Sequence, residues 1–541
     1  MYQHRFLRIA SILLVLLAAL YSSHTRPAAA QSDITYTADS GFRPANDGFG
    51  FENYSNDVAY QNLTPAEVRV LFGDQVCASL NGNTCILTPP GQEWMEKVNK
   101  DMGGGHCDGM AALSSLFYVQ KEHVADYGGS KSFDLKIADN EKLQREIARW
   151  WATQATAPAN QQDVKGTPND VLARYIKDTN AKTESYTVGI YQPDGSQGHS
   201  ITPYAVEDKG NGISWLMVYD NNYPGKEQHI EIDQNANAWK YTTTTNPSEP
   251  ESEYKGDATT QTLTLTPDSA RLGSQQCPFC EAQAAKTNGL ALAAVRYNQI
   301  WVAGSGTPGS YLNVLITDEA GHKLGHVNGK FINEIPNASY VVPKSGNLYD
   351  DSIEPFYNVP TGIKFTVALD GATLKQAETA EIAMIGPGYD LGVEDIKMQP
   401  GDHDELSFSP DGTQFNYKPS GSEAPNLVIG VQQPAADYLF EIKGFEVDAG
   451  ASVQVNLALD KGTLSVGTKN ATNPAQYALV VNRIDQKTDE TFSHDGIDLA
   501  ADETAYIEFG KWDGKGDLPI GIDAKNDGTI EVTTPETNQQ K

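Results

Sequence analysis

Apolar positions change their period once along this 541-residue chain. From about residue 91 to 181 they recur at helical spacing. QEWMEKVNK carries a short amphipathic repeat, Met110, Leu113, Phe117, Gln120 and Val124 lie three or four positions apart, and EKLQREIARWW renews the stripe. Thr167 and Pro168 supply an N-cap and a first-turn proline for NDVLARYIKD. The period then becomes two: SYTVGIYQ, HSITPYAVE, ISWLMVYD, QHIEID, AWKYTTT and QTLTLTP are β-branched or aromatic runs separated by turn residues. Helices first and antiparallel strands second predict an α+β domain, placed at residues 31–266.

TTNPSEPESEYKGD (244–257) is polar and acidic and reads as a long loop or linker. Beyond about 284 strands and turns dominate. GIKFTVALDGATL (362–374) and ASVQVNLALDKGTL (451–464) resemble each other, and AEIAMIG and AQYALVV keep an offset of about ninety residues. That weak repeat predicts two all-β sandwich domains, 285–420 and 425–535, although β-rich sequences also look alike through composition alone.

The N-terminus changes the picture of where the chain works. Arg5 and Arg8 precede and flank an apolar run, Ile9 to Leu20, and PAAAQ (27–31) offers small residues for cleavage. About twelve apolar residues are few for a bilayer span, so residues 1–30 read as a signal peptide and the mature product as secreted and free of the membrane. The formal charge of −30 becomes −33 when Arg5, Arg8 and Arg26 depart. Such a surface repels phosphate backbones and excludes nucleic acid as a partner.

Five cysteines in an oxidising compartment leave one over. Cys77 and Cys85 flank ASLNGNT, whose Asn-Gly pair signals a turn that brings the thiols face to face. Cys277 and Cys280 lie in CPFC. A lone CxxC lacks the four ligands of a structural zinc site and no βαβ pattern surrounds it, which favours a local disulfide over a metal or redox motif. No metal or cofactor is expected; in the acidic loop DAKNDGTIE, Lys525 stands where a calcium loop needs an oxygen ligand.

The cysteine left alone, Cys107, sits in MGGGHCDGM at the start of an apolar run. A helix beginning there presents free backbone amides and its positive dipole end, which favour a thiolate. Gly103 to Gly105 leave space for a substrate backbone to approach closely. A nucleophilic cysteine needs a base. His106 is a sequence neighbour and points elsewhere, and His123, sixteen residues on, would lie ~24 Å away along a helix. His199 remains, with His229 behind it. Taking DKGNG (208–212) as a five-residue hairpin loop puts His199 opposite Asn221 and beside Asp220, so the hairpin delivers an imidazole and its orienting group together. Asp220 is preferred and Asn221 is the substitute. Taken singly, Cys107 reads equally as a small buried hydrophobe, His199 as a satisfied strand-edge histidine and Asp220 as a turn residue; it is their combination that points to catalysis.

With GGGHCDGMAALSS around Cys107, GHSITPYAVE beginning at His199 and WLMVYDNNYPG containing Asp220, the chain resembles the papain-like cysteine peptidase superfamily over roughly residues 60 to 265. The resemblance implies a helical lobe against an antiparallel β lobe, with Cys107 as nucleophile, His199 as base and Asp220 as orienter. It also implies a glutamine six residues before the cysteine for the oxyanion hole. Here that position is Asp101, and Gln92 and Asn99 are the replacements considered. The implied activity is hydrolysis of peptide or amide bonds in a protein or peptide substrate. The other functions considered are acyl transfer to an amine, as in transglutaminase-like relatives, and a noncatalytic adhesion or binding protein. The C-terminal β domains are candidates to hold a cell-surface or extracellular ligand.

Overall fold

The computed structural model describes residues 35–56, 60–193, 195, 197–243, 252–280, 296–304, 312–327, 330–345 and 354–539. The expected signal peptide, residues 1–30, lies outside them.

The N-terminal unit joins helices to one antiparallel sheet. Its longer helices are α1 (Pro65–Phe72), α2 (Pro89–Asp101), α3 (Cys107–Tyr118), α4 (Glu141–Ala152) and α5 (Pro168–Ala181). Its strands are β1 (Tyr36–Asp39), β2 (Cys77–Asn81), β3 (Thr84–Leu87), β4 (Tyr186–Ile190), β5 (His199–Gly210), β6 (Ile213–Tyr219), β7 (Gln228–Asp233), β8 (Ala238–Thr243), β9 (Ser252–Asp257) and β10 (Leu263–Pro267). The main sheet runs β10-β4-β5-β6-β7-β8-β9, with β1 paired onto β5. β2 and β3 form a separate hairpin closed by the Cys77–Cys85 disulfide, and Cys277–Cys280 forms the second bridge.

Helix α3 is buried along nearly its whole length, from Cys107 to Phe117. Its small residues make this feasible: a side chain at Gly109 would meet the Ile147 carbonyl of α4 at 2.0 Å. On the opposite side the Thr202 hydroxyl of β5 donates to the Ala111 carbonyl at 3.1 Å. Thus α3 is wedged between α4 and the sheet, as expected of a helix apolar all round. It ends sooner than the spacing of Gln120 and Val124 predicts. Gln120 adopts φ 58, and Val124 reaches the same apolar cluster from a following 3-10 turn. A reversal of the chain mimics helical periodicity there.

Two further corrections concern strands. Part of the supposed loop at 244–257 is strand: Ser252–Asp257 pairs in register with β8 as an edge, where polar side chains suit the solvent-facing side. The β5–β6 loop has two residues rather than five, because Asn211 and Gly212 take left-handed φ of 53° and 80° and Gly210 pairs with Ile213. Bulges along β5 then alter the register, so that Thr202 faces Tyr219.

The C-terminal unit contains β11 (Tyr297–Ala303), β12 (Asn313–Asp318), β13 (Lys323–Val327), β14 (Lys330–Asn333), β15 (Ser339–Val341), β16 (Phe356–Pro360), β17 (Phe365–Asp370), β18 (Glu378–Gly386), β19 (Tyr389–Met398), β20 (His403–Phe408) and β21 (Gln414–Lys418). It continues with β22 (Asn426–Val431), β23 (Asp437–Lys443), β24 (Ser452–Ala458), β25 (Thr463–Lys469), β26 (Ala475–Ile484), β27 (Asp489–Leu499), β28 (Thr504–Ile507), β29 (Leu518–Asp523) and β30 (Val532–Glu536). The strand plan repeats. One sheet holds β11-β18-β19 and then β23-β26-β27, the other β12-β17-β20-β21 and then β24-β25-β28-β29.

The boundary expected between 420 and 425 does not separate two sandwiches. β19 pairs with β22, β21 pairs with β24, and one apolar cluster runs from Ile300 to Ile520. Edges that would otherwise be left open are closed against each other. The first half differs from the second by an insertion, β13 to β16, between β12 and β17; the matching strands β24 and β25 are joined by the short turn 459–462. The first half also shares a core with the helices: Trp301, Phe356 and Ile385 pack with Trp94, Trp151 and Phe279. Beside it, the buried Lys97 of α2 pairs with Glu93 and Glu381 at 3.0 and 2.9 Å.

Candidate active site

The tight turn before α3 places Cys107 at the first helical position. Gly105, at φ 131, is obliged to be glycine there, since a side chain would clash with the Asn53 amide and the Ser345 carbonyl. Cys107 is fully buried and is the free cysteine among the described residues.

His199 opens β5 and Asp220 follows β6, so the end of one hairpin carries both. The His199 Nε2 lies 2.9 Å from Asp220 Oδ1, and both side chains are fully buried. Three donors hold the carboxylate: the Asn222 amide at 2.9 Å, the Tyr241 hydroxyl at 2.7 Å and the Thr243 hydroxyl at 3.0 Å. His199 Nδ1 is buried without a hydrogen bond in this arrangement. Burial would depress the ring's pKa, but the Asp220 carboxylate and then the Cys107 sulfur more than offset that and raise it to about 10. Asp220 itself stays below the usual carboxylate range: burial opposes its charge, and His199, with the Asn222 amide and the Tyr241 hydroxyl, outweighs it.

Asn221 is in the site with a different task. Its Nδ2 donates to the Cys107 carbonyl at 3.1 Å and to the Ser200 carbonyl at 3.0 Å, which ties the first turn of α3 to β5. The expected pairing of His199 with Asn221 is off by one residue, because the tighter turn and the bulges shift the register; Asp220 is brought to His199 nonetheless.

Neither Gln92 nor Asn99 is brought to Cys107. Gln92 is on α2, and its amide donates to Glu96 beside the C-terminal unit. Asn99 is consumed by the Leu63 backbone, accepting from its amide at 2.7 Å and donating to its carbonyl at 2.9 Å. The amide that does flank the site is Asn53, on the segment before α1. Its Oδ1 accepts from the His106 amide at 2.8 Å, and its Nδ2 is buried with no partner, at the Gly105 wall. No periodicity marks Asn53 in the sequence. The same segment supplies β1 and the core residues Phe42 and Phe49, which makes it integral to the fold.

His106 is structural. It stacks on Tyr54 with ring centroids 4.1 Å apart and bonds the Tyr54 carbonyl and Asn62 at 2.8 and 2.9 Å; burial lowers its pKa to about 4. His229, on β7, stacks on Trp215 of β6. Beneath α3, Asp108 forms a bidentate pair with Arg271 at 2.8 and 2.9 Å, both fully buried. Arg271 also donates to Trp150, Thr153 and Thr187, so one guanidinium locks α3, α4 and β4 together. In the acidic loop, Lys525 pairs with Glu531 at 2.7 Å.

A buried sulfur at a helix N-terminus and a charged imidazole oriented by a held carboxylate have the chemistry of a nucleophile and its acid–base partner. No family model, curated protein or solved structure matches this chain.

Proposed function

We propose that this protein is a secreted cysteine peptidase with a papain-like α+β catalytic unit, hydrolysing peptide bonds through Cys107, His199 and Asp220. The observation that carries the reading is the fully buried His199–Asp220 pair, whose imidazole is held charged to about pH 10 by Asp220 and Cys107. Imidazolium beside sulfur is the state in which a thiol is pre-activated. Cys107 attacks the carbonyl carbon, the oxyanion takes hydrogen bonds from the Cys107 backbone amide and Asn53 Nδ2, and His199 passes its proton to the leaving amine. Water then hydrolyses the thioester. Two disulfides, and no helix among the described residues long and apolar enough to cross a membrane, fit an exported product.

The test is hydrolysis of a general protein substrate by the wild type and by Cys107→Ala, with peptide products identified by mass spectrometry in the presence and absence of an added amine. Wild-type proteolysis that disappears in the variant supports the reading. Equal proteolysis by both removes it, and amine-dependent products in place of hydrolysis transfer the site to acyl-transfer chemistry.

A further inference from the structure

The insertion that distinguishes the first half of the β unit enters the cleft after β15. After β15 the chain runs Val342-Pro343-Lys344-Ser345, and it lies across Cys107. The Cys107 thiol donates to the Lys344 carbonyl oxygen at 3.2 Å. Lys344 makes a parallel bridge to Gly198, the residue before the catalytic histidine, and its amide donates to Gln154 Oε1 at 2.7 Å. Pro343 fixes its own φ and disfavours helix at Val342, so the segment arrives extended, the shape in which a peptide pairs with a strand edge.

Glycines shape the walls around it. A side-chain carbon at Gly105 would sit 2.0 Å from the Ser345 carbonyl, at Gly198 2.8 Å from the Pro343 carbonyl, and at Gly189 3.0 Å from the Lys344 side chain. Two of these contacts are with backbone, which does not give way. The clearance is therefore for a main chain, with a channel at Gly189 for a long unbranched stem.

The end of that channel is built for an ammonium. Lys344 is 3% exposed, and its Nζ donates to the Thr266 hydroxyl at 2.7 Å and lies 3.6 Å from Asp163 Oδ2. Thr266 in turn donates to Asp163 Oδ1 at 2.6 Å. Burying a lysine without such an acid is costly, and an apolar or acidic side chain would leave Asp163 without a cation. The pocket opens into a cavity of about 430 Å³ bordered by Asp163, Tyr191 and Thr264.

We propose that the cleft selects peptide bonds on the carboxyl side of lysine, with Asp163 and Thr266 setting that choice, and that the first bond it meets is its own, Lys344–Ser345. This rests on the peptidase reading above. Cys107 sulfur bonds to the Lys344 carbonyl carbon, the Lys344–Ser345 C–N bond breaks, and the Ser345 nitrogen leaves with the proton of His199. Water then cleaves the thioester, leaves Lys344 with a free carboxylate and restores the thiol. The uncut segment fills the site; the cut one frees its primed side, since the new Ser345 amine is no longer tethered at Cys107.

The experiment follows new N-termini by mass spectrometry in the full-length secreted protein at several dilutions, alongside a peptide series that varies only the residue before the scissile bond. Expected are a Ser345 N-terminus appearing at a rate independent of dilution, absent from Cys107→Ala and from Lys344→Gln, and a preference for lysine over leucine of at least about 100-fold in kcat/KM. Asp163→Asn compresses that lysine-to-leucine ratio. Cys107-dependent hydrolysis that favours another residue, or that leaves Lys344–Ser345 intact while cutting lysine peptides, overturns the proposal and leaves the peptidase reading standing. No Cys107-dependent hydrolysis of any peptide removes both. The peptide series on the wild type keeps its force if Lys344→Gln does not fold.

Discussion

Two fully buried histidines flank Cys107 from different regions, and their environments drive them in opposite directions. His106, on the glycine-rich loop, has only a carbonyl, an amide oxygen and an aromatic face around it; burial governs, and its pKa falls to about 4. His199, at the open end of the β5–β6 hairpin, is equally buried, yet a carboxylate held by three donors, and after it the cysteine sulfur, act on it, and its pKa rises to about 10. Depth in the protein is the same; the neighbouring charge decides. One ring is therefore a neutral structural prop and the other a stored proton.

The contrast breaks most sharply under substitution. His199→Ala is expected to lower kcat/KM for peptide hydrolysis by about 10^4-fold or more, the scale on which loss of an acid–base partner acts. His106→Gln is expected to lower thermal stability while hydrolysis by the folded fraction keeps its pH profile, as followed by active-site titration with a thiol reagent. Asp220→Asn removes the charge that lifts His199 and keeps the shape. Its expected loss is roughly 10^3 to 10^4-fold, and the alkaline limb of the rate profile, near pH 10 in the wild type, moves down. An unmoved limb would assign that limb to a group other than His199.

Asn53 belongs to the His106 side and tests whether that side is only structural. Asn53→Ala is expected to reduce kcat by about 10^2 to 10^3-fold with a smaller change in KM, the signature of a lost oxyanion donor. A loss confined to stability returns Asn53 to the structural group.

A further effect is thermodynamic, and its sign differs between the rings. His106 has a folded pKa below the ordinary 6.5, so its contribution is present above 6.5 and is lost as pH falls toward about 4. His199 has a folded pKa above 6.5, so its contribution is full below 6.5 and is lost as pH rises through about 10. Each is of order a few kcal/mol. Urea unfolding across this range, repeated with His106→Gln and with His199→Gln, should remove the acid slope in one variant and the alkaline slope in the other.

Local rules explain much of what the sequence made legible. The Thr167 N-cap with Pro168 behind it, and a turn that joins Cys77 to Cys85, are settled within a few residues and appear as read, although the turn falls on Gly82–Asn83 while Asn81 still pairs with Thr84. Asn211-Gly212 was an equally local signal, and weighing it as a two-residue turn fixes the β5–β6 hairpin. The apparent helix through Val124 misled because a turn repeated the helical spacing. Gln92 and Asn99 were sought near Cys107 in sequence, whereas the amide at the site comes from Asn53, whose approach depends on packing of the segment before α1.

The chain alone determined where helices give way to strands, which cysteines pair, and that one thiol at a helix start awaited a histidine. Those features follow from short-range sterics, period and spacing. Only the tertiary structure decided that Asn221 ties α3 to β5, that Arg271 locks the floor beneath Cys107, that the β halves share one core, and that Lys344 lies against the sulfur. Each joins residues far apart in the chain, and no local propensity encodes such a meeting; it is fixed by register, close packing and the pairing of buried charge.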